Sequence, residues 1–268
     1  MNILLVGCGS IGTVIAKAAD NIASIEKILI YDVNNSKAEQ LKSQISKSVL
    51  ISDLNLRDVD ASIVIEAASQ EAAKQIIPAA LESGMDAMIM SVGAFRDRAF
   101  QNRCFNAVSS GENCLLIPSG AVAGIDALKG AAKADIDEVK LTTTKPPKSL
   151  SGVKYLIDKG ITVEDIQERT ILYSGPASQA IQYFPANVNV AATVSLAGIG
   201  FERTEVEIIC DPNQKVNSHR LFARGTFGEL EAITRNLPSP DNPKTSYLAS
   251  LSAVSALNSY IGRIWIGF

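Results

Sequence analysis

Histidine is nearly absent: His219 is the single one among 268 residues. With one imidazole and four scattered cysteines, Cys8, Cys104, Cys114 and Cys210, none in a CxxC pair, no zinc-ligand set can be assembled, so no metal is expected. The same spacing reads as reduced thiols of the cytosol rather than a disulfide framework. A basic cluster is lacking too. At a net charge of −3 nothing draws the chain to phosphate backbones or anionic lipid, so nucleic acid is not an expected partner. Met1 leads straight into an apolar run with no basic leader or cleavage motif, which sets the expectation of a cytoplasmic protein. Long uninterrupted apolar stretches are also missing. The C-terminal segment YLASLSAVSALNSYIGRIWIGF carries only Arg263 as a charge, but its serines and Asn258 dilute it below a membrane span. Leu251, Val254, Leu257, Ile261 and Ile264 recur there at helical spacing, which predicts a terminal helix with one buried face.

Residues 2–117 alternate short β-branched runs with helical patterns. The strands read as ILLVG, KILIYD, SVLIS, SIVIEAA, AMIMSV and CLLIPS, with helices such as SIGTVIAKAAD and QEAAKQIIPAALESG between them. That rhythm is α/β: a Rossmann-like doubly wound parallel sheet. After Pro118 a Gly/Ala-rich helix is followed by the alternating strand DEVKLTTTK, which stops at Pro146 and Pro147. Residues 150–200 read as helical, and TEVEIICDPNQKVNSHRLFARGTFGELEAI as two strands joined by the DPN turn. The second domain is therefore α+β with a mixed or antiparallel sheet. The expected division is 1–118 plus 240–268 for dinucleotide binding and 119–239 for catalysis and dimerisation.

The first strand runs into GCGSIG, which places Gly7, Gly9 and Gly12 in the G-x-G-x-x-G spacing. The first glycine permits the tight turn, the second lets backbone approach a pyrophosphate, and the third lets helix pack on strand. Ser10 and Ile11 open the helix whose N–H groups and dipole would face the phosphates. Asp32 closes the second strand, twenty residues after Gly12, placed to accept from an adenosine ribose and to repel a 2′-phosphate. NAD is the expected cofactor, with NADP still possible, since the residues after Asp32 are Val33, Asn34 and Asn35, without an arginine. The other reading of these residues is a tight turn with Asp32 capping a loop.

Substrate chemistry needs polar groups from the second domain, and three stretches offer them. PSGAVAG (118–124) is small enough, around Ser119, for backbone to approach a cofactor ring. TTTKPP (142–147) sets Thr143, Thr144 and Lys145 at a strand end, where a carboxylate can be held. FPANVNVAAT (184–193) brings Asn187 and Asn189 to the first turn of a helix. His219 shares a strand face with Asn217, Leu221 and Ala223, whereas Ser218, Arg220, Phe222 and Arg224 point the other way. From the local pattern alone, His219 is either a satisfied structural residue or a proton acceptor, and Arg220 and Arg224 are a solvated face or an anion grip.

Taken together, VGCGSIG, VIEAAS (64–69), SVGAF (91–95), IPSGAVAGIDAL (117–128), TTTKPP, FPANVNVAATVSLAG (184–198) and HRLFARGTFGE (219–229) resemble the L-aspartate dehydrogenase family along nearly the whole chain. The resemblance implies NAD(P)-dependent oxidation of L-aspartate to iminoaspartate, a homodimer, and a place in pyridine nucleotide biosynthesis. It implies His219 as the catalytic residue and Ala123 and Asn189 among the cofactor contacts, with Ala68 of VIEAAS beside them. Ala123 stands where many relatives would carry glycine. A base is needed because hydride can leave the aspartate α-carbon only when the amine is neutral. His219 would take the ammonium proton or activate the water that attacks the iminium, and, once protonated, would help bind a carboxylate. Ser119, Thr144, Lys145 and Arg220 are the candidates for gripping the substrate. A homoserine dehydrogenase-like enzyme and a non-catalytic NAD-sensing protein are the alternatives. An acyl-enzyme aldehyde dehydrogenase fits less well, since no cysteine has a histidine nearby in sequence.

Overall fold

Six short strands, β1 (Asn2–Val6), β2 (Lys27–Tyr31), β3 (Ser48–Leu50), β4 (Ile63–Glu66), β5 (Asp86–Ile89) and β6 (Leu115–Leu116), line up in the order β3-β2-β1-β4-β5-β6, every pair parallel. This is a computed structural model that describes residues 1–184, 188–240 and 242–267. The chain forms two compact units, Met1–Pro118 with Ala249–Trp265, and Ser119–Leu248 with Ile266 and Gly267.

In the first unit all four residues of β4 are buried, as in a parallel strand covered on both faces. Ile3, Leu5, Ile63 and Ile65 face α1 (Ser10–Asp20) and α2 (Asn35–Lys42), through Ile15, Ala16, Ala19, Ala38 and Leu41. Leu4, Val6 and Val64 face α3 (Gln70–Glu82), through Ile76 and Ala80. Alternate residues of each strand thus fill opposite layers, and α4 (Arg98–Ser110) adds Phe100 against Phe95. The chain leaves β1 toward β2 and β3, then crosses back to β4, β5 and β6, so the order reverses between β1 and β4. Ligands of open α/β sheets bind beyond the carboxyl ends of the strands at such a reversal.

The last helix of the chain, Tyr247–Gly262, adds Ala253 and Leu257 to the layer that holds α1 and α2. Burying Leu257 contributes on the order of 2 kcal/mol. Its buried face runs through Ser250, Ala253 and Leu257, and Val254, Tyr260 and Ile261 pack partly beside it. From the expected stripe Val254, Leu257 and Ile261 pack into this layer, whereas Leu251 is 41% exposed and Ile264, past the helix end at Gly262, is 69% exposed.

The second unit is built on β7 (Ile136–Lys145), β8 (Thr170–Pro176), β9 (Thr204–Cys210), β10 (Asn217–Gly225) and β11 (Gly228–Asn236), in the order β11-β10-β7-β9-β8. β7 pairs antiparallel with β10 and parallel with β9, so the sheet is mixed. Four helices accompany it among the described residues: α5 (Ile125–Ala131), α6 (Lys154–Asp158), α7 (Ala177–Tyr183) and α8 (Val188–Ala197). The helix Tyr247–Gly262 is then α9.

Three expectations change here. The stretch 150–200 contains β8, an edge strand with a register shift between Ile171 and Tyr173 that breaks its alternation. The segment from Thr204 holds three strands rather than two: β9 and β10 flank β7, and the hairpin turn is Thr226–Phe227 between β10 and β11. The return to the first unit comes at Ala249 rather than near residue 240, since Pro238–Ser239 (β12) and Asn242–Ser246 (β13) form a small antiparallel ribbon in the second unit.

Candidate active site

The glycine loop stands at the reversal between β1 and β4. Gly7 has φ +103°, and a Cβ there would lie 2.5 Å from the Ala67 carbonyl oxygen. A Cβ on Gly12 would overlap the Gly7 carbonyl oxygen, whereas one on Gly9 would meet nothing within 4 Å. Two glycines therefore close the turn against its neighbours, and Gly9 leaves open space where a diphosphate would approach. No side chain caps α1 at Gly9, which suits a ligand that supplies the acceptor.

Asp32 lies beside this loop and is tied into it. Its Oδ2 accepts from Cys8 N at 2.7 Å and its Oδ1 from Asn34 N at 2.8 Å. Each oxygen keeps a second lone pair, so the carboxylate can hold the loop and still accept from a ribose. A cleft of about 1260 Å³ is lined by Gly7, Gly9, Asp32, Lys37, Ala68 and Ser69, among others. Gly7, Gly9, Asp32 and Ala68 come together there, and Ser10, Ile11 and Gly12 follow within α1. These residues fit a dinucleotide.

In the second unit, β7 and β10 pair so that His219 lies opposite Thr143. Thr143, Lys145 and His219 are all buried, on the face that also carries Leu141 and Leu221. His219 Nδ1 is 2.9 Å from Thr143 Oγ1, which fixes the ring plane. Burial, and then the charge of Lys145, depress the imidazole to about 3. Burial alone lowers Lys145 to about 8, and its ammonium has no hydrogen-bond or ion-pair partner among the described residues. The coupling acts one way because Lys145 is charged when His219 would take a proton, whereas His219 is already neutral when Lys145 titrates.

The loop of residues 119–124 is fastened to this same face. Thr234 lies opposite His219 in β11, and its Oγ1 donates to the Ala121 carbonyl at 2.9 Å. Asn236 Nδ2 donates to the same oxygen at 2.8 Å. Ser119 and Ala123 belong to that fastened loop. Asn189 sits in the first turn of α8, where its carbonyl accepts from Thr193 Oγ1 at 2.9 Å, and Asn187 lies outside the described residues.

The structure separates Thr144 and Arg220 from this group. Strand alternation turns both to the opposite face of the sheet, into a hollow of about 390 Å³ shared with Lys140, Arg169, Glu207 and Arg235. Arg220 is engaged there by Glu231 through two bonds of 3.0 and 2.9 Å. Of the four substrate-binding candidates, only Lys145 is buried on the His219 face. Thr143, expected with Thr144 and Lys145 to hold a carboxylate, instead engages His219, and Glu66 is a residue that the sequence pattern did not mark.

A glycine loop at a topological switch, a carboxylate at its rim and a buried imidazole on a second sheet define the frame of a pyridine-nucleotide-dependent oxidoreductase. A family model described as homoserine dehydrogenase, NAD binding domain, matches residues 7–118, and one described as aspartate dehydrogenase, C-terminal, matches 126–260. L-aspartate dehydrogenases of Methanosarcina barkeri and Methanosarcina acetivorans are each 46% identical, over 100% of this chain and 99% of theirs. The crystal structure of aspartate dehydrogenase from Thermotoga maritima superposes with a TM-score of 0.75 at 28% identity, covering 98% of this chain and 96% of that one. The chain belongs to the L-aspartate dehydrogenase family.

Proposed function

We propose that the chain is an NAD-dependent L-aspartate dehydrogenase in which Lys145 receives a substrate carboxylate and His219 takes the proton of the α-ammonium. The observation that carries this reading is the buried side chain of Lys145, whose ammonium has no ion-pair partner among the described residues, on the same sheet face as a buried, neutral imidazole. A buried cation without a partner is unfavourable, and an anionic ligand relieves it. With Nδ1 engaged by Thr143, Nε2 is the working nitrogen of His219. At about 3, the free enzyme's imidazole is far too weak a base for an ammonium. A dicarboxylate that neutralises Lys145 and brings further negative charge raises that basicity when it is required.

A nicotinamide, when bound, would supply the hydride acceptor. Once the ammonium proton has moved to His219, the amine lone pair forms the C=N bond as hydride leaves the α-carbon, giving iminoaspartate. Backbone of the 119–124 loop, with Ser119, Ala123 and Asn189, serves the ring end of the cofactor; Gly7, Gly9, Asp32 and Ala68 serve the rest. Family resemblance supports a cytoplasmic homodimer that feeds pyridine nucleotide synthesis. The test is NAD reduction with L-aspartate, D-aspartate, L-glutamate, L-malate and homoserine. Turnover confined to L-aspartate is expected, and turnover confined to homoserine or malate overturns the reading.

Asp32 supports the choice of NAD over NADP, since its charge opposes a 2′-phosphate. Asp32→Asn keeps an acceptor for Cys8 N while removing that charge. The ratio of kcat/KM for NADP to that for NAD is expected to rise on the order of tenfold, measured with L-aspartate saturating.

A further inference from the structure

Glu66 ends β4 with no exposed surface. A carboxylate in the core of a parallel sheet is strongly disfavoured unless hydrogen bonds replace its water. Three do so here. Oε1 accepts from Ala68 N at 2.8 Å and from Ser91 Oγ at 2.7 Å, and Oε2 accepts from Ser91 N at 3.0 Å. Burial pushes the carboxyl pKa up, and the bonds from Ser91 and Ala68 pull against it.

The donors stand at the carboxyl ends of two neighbouring strands. Ala68 is in the turn after β4, and Ser91 follows β5. That turn is part of the cleft wall, which Ala67, Ala68 and Ser69 line together with Gly7 and Gly9. It is also pressed on the glycine loop: a Cβ on Gly7 would lie 2.5 Å from Ala67 O and 2.8 Å from Ala68 N, and Ala67 N donates to Val6 O at 2.8 Å. Any shift of the turn therefore changes the space beside the phosphate loop. An apolar residue at 66 would fill the volume but leave the buried N–H of Ser91 and the part-buried N–H of Ala68 without their acceptor.

We propose that Glu66 is a positioning residue of the dinucleotide cleft, whose carboxylate ties the 67–69 turn to Ser91 and so sets the gap between that turn and the glycine loop. The proposal rests on the reading of this cleft as the dinucleotide site. Glu66→Gln presents an amide N–H to a backbone N–H in either orientation, to Ser91 N or to Ala68 N. Ser91→Ala removes one bond and keeps the carboxylate.

The experiment is calorimetric titration of the full chain with NADH, alongside thermal melting and steady-state kinetics. Glu66→Gln is expected to raise the NADH Kd about tenfold and Ser91→Ala about threefold, with kcat at saturating cofactor within twofold of wild type. A purely structural role would lower Tm and leave Kd alone. A folded Glu66→Gln variant whose NADH Kd stays within twofold overturns the proposal. If that variant does not fold, an unchanged Kd in Ser91→Ala does the same. Failure of the wild-type chain to bind NADH overturns the reading of the cleft, and the proposal with it.

Discussion

Replacing His219 with alanine is expected to lower kcat for aspartate oxidation by about 10² to 10⁴, the span for loss of a positioned general base. NADH affinity should stay within twofold, because the cleft lined by Gly7, Gly9 and Asp32 draws nothing from β10. Loss of both together would show that His219 shapes the fold rather than the chemistry. His219 is the only imidazole in the chain, so its NMR signals report its protonation without mutation. Held near 3, the free protein's ring should show flat shifts from pH 5 to 9, and a dicarboxylate such as succinate should bring a titration into view. The same depression has a stability consequence. Between the ordinary value of 6.5 and about 3, the unfolded chain binds a proton that the folded chain refuses, so stability falls as pH drops through that window. His219→Ala removes this part of the acid sensitivity, which denaturant titrations at pH 7 and pH 4 would detect.

Much of this was legible because it is written locally. The glycine spacing, the strand before it and Asp32 after it occupy one βαβ unit, and α1 spans SIGTVIAKAAD as the helical pattern predicts. Alternation along β10 separated His219, Leu221 and Ala223 from Arg220 and Arg224, and the burial of these residues follows that division. Applied equally to β7, it would have chosen Thr143 and Lys145 over Thr144. What stayed hidden is non-local. β7 inserts between β9 and β10, though it precedes both in the chain, so the DPN turn looked like a hairpin. β8 lies at a sheet edge with Ile171 exposed and a bulge beyond it, and its TILYSGP pattern satisfies neither period. Glu66 looked like the end of an apolar strand, because its donors, Ala68 and Ser91, belong to turns that only the folded sheet brings together.

Lys145→Met should make the protein more stable and the enzyme worse. Lys145 as a residue is 6% exposed, and its pKa falls from 10.5 to about 8, which corresponds to a folding penalty on the order of 3 kcal/mol at neutral pH. Methionine fills a similar volume without that penalty, so Tm at pH 7 should rise by several degrees. The sign of the pH dependence follows. From pH 8 to 10.5 the unfolded wild-type chain keeps a proton that the folded one has lost, so wild-type stability climbs toward that of the variant and the difference closes. Binding moves the other way: removing one partner of a desolvated charge pair should raise the KM for L-aspartate at least about thirtyfold. Succinate, which has no amine to titrate, isolates the effect. Its inhibition constant in wild type should rise about tenfold per pH unit above 8, where Lys145 loses its charge, and stay flat in Lys145→Met. A succinate constant independent of pH in the wild type would remove Lys145 from the substrate site, and equal melting temperatures at pH 7 would show that its ammonium is not buried alone.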